Sequence, residues 1–268
     1  MSRDIVRILD GWEFEPNQLS VRIVKGDDGR EKIQMRLELG LLQLELDGRP
    51  DGVRPEGLES WLEVFRQRQR AHDETSQPDA APFQLEAADC ELLLREGIQY
   101  YHRYLSFWHL KRYELCARDT NRNLRLFKFV RDYAHREHDK RQFDQWRPYV
   151  TMMHTRAVAT PLMEMADYEA AVKAIEAGIE GIRLFLEEYN QTERADQCAE
   201  LTHLVKWREE LLAHVPPQPA EPPDLVAQLR QQLSEAIGDE RFEDAARLRD
   251  EIRRHLQSPF QTPPDEKL

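Results

Sequence analysis

A cluster of prolines divides this chain into a long N-terminal part and a short C-terminal part. Five of its fifteen prolines lie close together, at Pro216, Pro217, Pro219, Pro222 and Pro223. Proline lacks a backbone N–H and restricts φ, so such a run cannot continue a helix and behaves as a semi-rigid, extended spacer. We therefore expect a linker over residues 215–223, a separate unit over residues 224–256 and a tail over residues 257–268.

The first part of the chain, residues 1–75, predicts a small module that contains β-strands and one helix. Apolar and polar residues alternate over residues 19–23 and 33–39, which is the period of a half-buried strand. The alternation changes phase at Gly40, and this change fits either a tight turn into a third strand or a bulge in one long strand. Apolar residues at helical spacing after Pro55 predict a helix.

Residues 86–214 predict a domain of about five helices, because apolar residues recur at steps of three and four. Residues 166–179 resemble the second half of a tetratricopeptide repeat, in which a turn leads to an aromatic residue and small residues let paired helices approach closely. Tyr113 and Tyr168, which occupy similar positions in this pattern, are 55 residues apart, whereas that repeat recurs about every 34 residues. The predicted fold class is α+β and predominantly α, with an irregular, TPR-like central domain.

Residues 224–256 predict a helical hairpin. Asp224 can cap a first helix, and Gly238 with Asp239 breaks that helix before a second one begins. Both helices carry apolar residues at helical spacing, which are Leu225, Leu229, Leu233 and Ala236 in the first and Phe242, Ala245, Leu248 and Ile252 in the second.

The core of the second helix, residues 242–252 with the sequence FEDAARLRDEI, resembles the UVR motif, which is named for segments of the excinuclease subunits UvrB and UvrC. The resemblance implies a hairpin that pairs with another helical hairpin. The same motif occurs in ClpC-type chaperones and in McsA-type stress regulators, so it indicates helix pairing and no single pathway. The sequence lacks the CxxC pairs of McsA-like proteins and the GxxxxGK[ST] phosphate loop of helicases.

The resemblance implies a partner-binding surface formed by Leu225, Leu229, Leu233, Phe242, Ala245, Ala246, Leu248, Arg249, Asp250 and Ile252. Domains below about 40 residues usually need a disulfide, a metal or an oligomer for stability, and this unit is shorter than that. We therefore expect it to pair with a helical or UVR-type hairpin of another protein, or with a second copy of itself, in a four-helix arrangement. The alternative is that it docks on the chain's own helical domain.

The net charge of −12 is unevenly distributed. Residues 95–147 contain 13 Lys and Arg against 7 Asp and Glu, and they hold 11 of the 23 aromatic residues. Basic residues interleaved with aromatic ones are typical of nucleic-acid surfaces. We favour the alternative, in which the aromatic residues line the helical core and the arginines cover its outer face, so nucleic acid is a possible partner but not the preferred one.

No sequence pattern supports a catalytic site, a cofactor site or a metal site. His135, His138 and His154 form no HExxH pattern and are expected to face solvent, while Cys116 is expected to be a small buried residue. The three cysteines are far apart and odd in number, so we expect neither a disulfide framework nor a CxxC metal pair. No apolar run approaches the about 18 residues of a membrane span, and no apolar signal segment follows the first residues. We expect a cytoplasmic protein without membrane contact.

Together, these patterns and the resemblance predict a bacterial, non-enzymatic interaction or adaptor protein whose C-terminal hairpin pairs with a helical partner. Two alternatives remain open. One is an accessory protein of nucleotide excision repair with a basic central helical surface. The other is a stress adaptor that serves a chaperone–protease.

Overall fold

The computed structural model describes residues 4–77, 79–215, 229, 231–235 and 241–257, without the side chains of residues 242, 243, 245, 246 and 254–257. This part of the chain is predominantly helical and has a three-stranded antiparallel sheet near its N-terminal end, which confirms the predicted fold class. The chain divides into two compact units, Met1–Val215 and Pro216–Leu268, and each is described by itself.

The helices of the described residues are α1 (Val6–Leu9), α2 (Trp61–Thr75), α3 (Ala87–His109), α4 (Tyr113–Tyr133), α5 (Glu137–Asp144), α6 (Arg147–Glu164), α7 (Tyr168–Glu188), α8 (Ala199–Leu212) and α9 (Phe242–Gln257). Within the N-terminal unit, α4 packs between α3 and α6, and α6 also contacts α7 and α8. Residues 231–235 are helical as well. Where the chain is described, none of its helices combines the length and the apolar character needed to cross a bilayer.

The sheet consists of β1 (Val21–Lys25), β2 (Glu31–Leu37) and β3 (Gly40–Glu45), in that order. Glu38 and Leu39 alone separate β2 from β3, so the change of phase at Gly40 comes from a tight turn into a third strand and not from a bulge. The central strand supplies the fully buried Ile33, which joins an apolar cluster with Phe107 of α3 and side chains of α4 and α6. The sheet therefore packs on the helices of the N-terminal unit.

The helix predicted to follow Pro55 begins later, at Trp61. Pro55–Gly57 form a single 3-10 turn, in which Gly57 has φ of +81°, a conformation that residues with side chains rarely adopt. Ser60 then caps α2, since its hydroxyl accepts a hydrogen bond from the backbone N–H of Glu63 at 3.3 Å. Such a cap satisfies a backbone donor that has no partner inside the helix, and it sets the start of α2.

The segment that resembles a tetratricopeptide repeat contributes to one helical hairpin, formed by α6 and α7. The Asp167 carboxylate caps α7 by accepting a hydrogen bond from the N–H of Ala170 at 3.1 Å. A Cβ atom added to Gly178 of α7 would lie 2.1 Å from Oγ1 of Thr155 in α6. A small residue thus lets the two helices approach closely, as the local pattern predicted, while the likeness to the repeat family as a whole stays a prediction.

Gly178→Ala is expected to lower the free energy of unfolding by about 1–3 kcal/mol, because the new methyl group overlaps Thr155 in a packed interior. Gly181→Ala in the same helix is the matched control, since its Cβ would lie at an ordinary 3.5 Å from the Thr151 methyl group. This control should stabilise the protein by up to about 1 kcal/mol through its higher helix propensity. Denaturant unfolding followed by circular dichroism measures both, and equal effects would contradict the close helix contact.

Candidate functional site

The second half of the predicted partner-binding surface lies on α9. Leu248 is half-buried and Ile252 is 9% exposed, and residues four apart share a helix face. Arg249 and Asp250 are exposed, and the guanidinium of Arg249 lies 3.3 Å from the Asp250 carboxylate. The structure therefore places the two apolar residues on one side of α9 and the two charged residues in solvent.

The remaining predicted residues of this surface are described in part. Leu229 is buried and Leu233 is half-buried. Phe242, Ala245 and Ala246 belong to α9, but their side chains lie outside the described residues, as does the whole of Leu225. The prediction that these residues contact a partner stays a prediction.

The polar side of α9 is lined by charges that pair along the helix. The Asp244 carboxylate accepts hydrogen bonds from Arg247 at 2.7 Å and from Arg241 at 3.2 Å. Exposed pairs of this kind contribute between about 0 and 1 kcal/mol each. The apolar and charged residues of α9 are segregated more strongly than those of α2 to α8, which is the pattern of a helix that lies against another element.

Most of the basic side chains in residues 95–147 lie close to carboxylates. Nine of its 13 basic side chains lie within 4.0 Å of a carboxylate, namely Arg95, Arg103, Arg118, Arg122, Lys128, Arg131, Arg136, Lys140 and Arg147. Three of the carboxylates come from outside the stretch, from Asp47, Glu91 and Glu188. Much of the local positive charge is therefore neutralised within the fold.

The prediction that the arginines of this stretch cover an outer face was wrong for Arg103 and Arg122, which are buried. The Arg103 guanidinium binds the Asp119 carboxylate in a fork, with N–O distances of 2.6 and 3.0 Å. Its third nitrogen donates to the backbone carbonyls of Glu45 and Gly48, at 3.0 and 2.8 Å. A side chain of α3 thus holds α4 and the end of the sheet together.

The prediction that aromatic residues line the core holds for Tyr104, Phe107, Phe127, Phe129 and Phe143.

A second buried group, the Glu96 carboxylate of α3, holds the start of α2. It accepts hydrogen bonds from the backbone N–H groups of Trp61 at 2.7 Å and Leu62 at 3.2 Å, which are free at a helix N-terminus. Arg122 of α4 forms an ion pair with the same carboxylate, and Arg49 Nε lies 3.5 Å from it. Glu96 and Arg103 thereby link three helices and the loop that follows β3.

The sequence indicates that Glu96 and Arg103 are buried, although periodicity alone does not show which residues pair with them. Glu96 and Arg103 stand at steps of three and four residues between Leu93, Tyr100 and Phe107, so they occupy the apolar stripe of α3. Charged residues in such a stripe are buried only when they are paired. Their partners lie on another helix, and the tertiary structure is needed to identify them.

Arg103→Met should lower the free energy of unfolding by about 3–5 kcal/mol, because it removes two charge-assisted hydrogen bonds and leaves the buried Asp119 carboxylate with a single cation, Arg118, whose Nε lies 3.0 Å away. Arg95→Met is the control, since its pair with Glu91 is on the surface and the Arg95 side chain is 70% exposed. That change should cost less than about 1 kcal/mol. Urea unfolding of both variants tests the difference, and a loss for Arg103→Met as small as the control's would contradict a structural role of the fork.

The three histidines and the cysteine considered in the sequence analysis lie in different environments. His135 and His138 are exposed, as predicted. The prediction was wrong for His154, which is half-buried with its Nδ1 atom 3.0 Å from Thr120 Oγ1, and burial lowers the pKa of its ring. Cys116 is fully buried, which confirms its prediction, and burial raises the pKa of its thiol to about 12. Among the described residues, no three potential ligands cluster closely enough to hold a metal ion.

Two clefts open on the N-terminal unit. One of about 460 Å³ lies between α3, α4, α5 and α6 and is lined mainly by apolar side chains, among them the exposed Ile98, Tyr101 and Trp146. Another of about 320 Å³ lies between α3, α6 and α8 and contains both tryptophan and basic side chains, including Trp108 and Arg156. Both combine residues from distant parts of the chain, which is why the sequence alone did not reveal them.

Comparison with known protein families supports the C-terminal resemblance. Residues 224–254 match the family model described as the UvrB/uvrC motif, and this match lies inside the hairpin predicted over residues 224–256. No curated protein and no solved structure matched the chain in the corresponding searches.

Proposed function

We propose that this protein is a non-enzymatic interaction protein whose C-terminal segment binds a helical partner by helix pairing. The match of residues 224–254 to the UvrB/uvrC motif carries the proposal. The partner supplies a helix or a helical hairpin, either from another protein or from a second copy of this chain.

The character of α9 supports a pairing role. Its 16 residues are near the length at which an isolated helix is only marginally stable in water. Leu248 is half-buried, so part of its side chain is still in contact with water. Packing that part against a partner removes apolar surface from water, and complete burial of a leucine side chain stabilises a contact by at most about 1.5–3 kcal/mol. The charged side of the helix remains solvated while its apolar side binds.

The separation of the C-terminal segment supports binding to a partner. The segment belongs to its own compact unit, Pro216–Leu268, and the prolines between residues 216 and 223 disfavour a continuous helix out of the N-terminal unit. A semi-rigid spacer lets a binding segment reach a partner without rearrangement of the larger unit.

The charge of the C-terminal segment favours a protein partner over direct contact with DNA. Residues 224–256 contain 6 basic and 8 acidic residues, whereas affinity for nucleic acid comes mainly from Lys and Arg that neutralise phosphates. In the central helices, nine basic side chains already have carboxylate partners. Roles in excision repair and in chaperone–protease delivery are both compatible with the proposed contact, since each would use it to recruit a protein.

The double substitution Leu248→Glu and Ile252→Glu in the full chain is expected to weaken partner binding by more than about tenfold, because it places two charges on the apolar side of α9. The matched control is Gln232→Glu with Ser234→Glu, which adds the same charge at exposed positions of residues 231–235. Immobilised protein with each set of substitutions is used to capture partners from lysate, with quantitative mass spectrometry as the readout. Sedimentation velocity over a range of concentrations measures self-association in the same proteins.

The unsubstituted chain and the control should capture the same proteins, or self-associate equally, and the α9 variant should lose that binding. Circular dichroism of each protein checks that the N-terminal unit stays folded. The proposal is wrong if the α9 variant captures the same partners in the same amounts, or if the unsubstituted chain shows neither capture nor self-association.

A further inference from the structure

The cleft between α3, α6 and α8 has the composition of a binding site for a small anion with an aromatic ring. Its walls are Trp108, Arg156, Thr160, His203, Lys206 and Trp207, and Glu210 lies at the same cleft. Its volume of about 320 Å³ is at the lower end of the range of small-molecule pockets, about 300–1,000 Å³. None of these residues belongs to the C-terminal segment on which the proposed function rests.

Arg156 is the central feature of this cleft. Its guanidinium lies 4.3 Å from the centroid of the Trp108 ring and 4.0 Å from Met153 Sδ. No carboxylate of the described chain lies within 4.0 Å of it, although the side chain is half-buried. A partly desolvated cation without a counter-charge attracts an anion, and contact with an indole ring restrains the side chain before any ligand arrives.

One face of α8 supplies the opposite wall. His203, Lys206, Trp207 and Glu210 are spaced at three and four residues, so they project from the same side of the helix. Lys206 is 78% exposed, and its Nζ atom lies 4.0 Å from the Glu210 carboxylate. The two positive charges of Arg156 and Lys206 outweigh the single negative charge of Glu210.

We propose that this cleft binds a nucleoside monophosphate, with the phosphate at Arg156 and Lys206 and the base against Trp207. An arginine guanidinium binds phosphate oxygens through two parallel hydrogen bonds, and the Thr160 hydroxyl has no partner among the described residues and can donate a further one. The two positive charges of the cleft match the charge of a phosphate dianion better than they match the single charge of a carboxylate ligand. Bases stack on tryptophan irrespective of their sequence identity, and the volume of the cleft suits one nucleotide and not a strand.

Isothermal titration calorimetry of the full chain with AMP, adenosine and inorganic phosphate tests the proposal. AMP should bind with a dissociation constant below the millimolar range, and adenosine and phosphate should each bind at least about tenfold more weakly, since each lacks half of the contacts. Arg156→Gln should weaken AMP binding at least about tenfold. Arg183→Gln removes the same charge from an exposed position of α7 outside the cleft and should leave binding unchanged.

Lys206→Gln is a second variant, needed if Arg156→Gln impairs folding. The Lys206 side chain is largely exposed, so its replacement should leave the fold intact. Lys206→Gln should weaken AMP binding several-fold. Absence of measurable AMP binding at millimolar concentration overturns the proposal. Equal binding of the Lys206→Gln and Arg183→Gln variants also overturns it. Phosphate that binds as tightly as AMP overturns the nucleotide assignment, because the base would then contribute nothing. Each of these outcomes leaves the helix-pairing proposal untouched.

Discussion

The buried fork between Arg103 and Asp119 is the interaction on which the N-terminal unit depends. The same guanidinium that joins α3 to α4 also donates to the carbonyls of Glu45 and Gly48, and so it fixes where the sheet meets the helices. Desolvation offsets much of the Coulombic attraction of such a pair. Its main effect is therefore on geometry, because any other placement of the loop after β3 leaves one buried nitrogen of the Arg103 guanidinium without its carbonyl acceptors.

Charge pairing in this interior decides which surfaces remain for binding. The central helices are rich in arginine, yet most of these cations have carboxylate partners, several of them supplied by distant segments such as Asp47 and Glu188. Arg156 differs, since it rests on Trp108 and has no carboxylate beside it in the described chain. The N-terminal unit therefore has a local anion-attracting cleft in place of a broad basic surface, while α9 carries the segregated apolar side suited to helix pairing.

Local patterns predicted the elements of the fold well where neighbouring residues decide the outcome. The strand that contains Ile33 and Met35, the turn before Tyr168 and the small residue at Gly178 all correspond to observed structure. The alternation does not hold to its end, because Leu39 lies in the turn after β2 and is 92% exposed. The start of α2 was predicted too early, because the cap at Ser60 and the buried Glu96 set it and the latter is distant in sequence. The choice between a turn and a bulge at Gly40 depended on strand pairing, which the period of two does not specify.

The sequence by itself determined that the chain is mainly helical, that prolines set off its C-terminal segment, and that this segment has a UVR motif. Periodicity and short motifs report on residues that are near each other along the chain. Only the tertiary structure decided which charges are neutralised and which are free, because Arg103, Asp119 and Glu45 come from separate elements, as do Trp108, Arg156 and Lys206. The electrostatic character of a residue depends on neighbours in space, and folding alone brings these together.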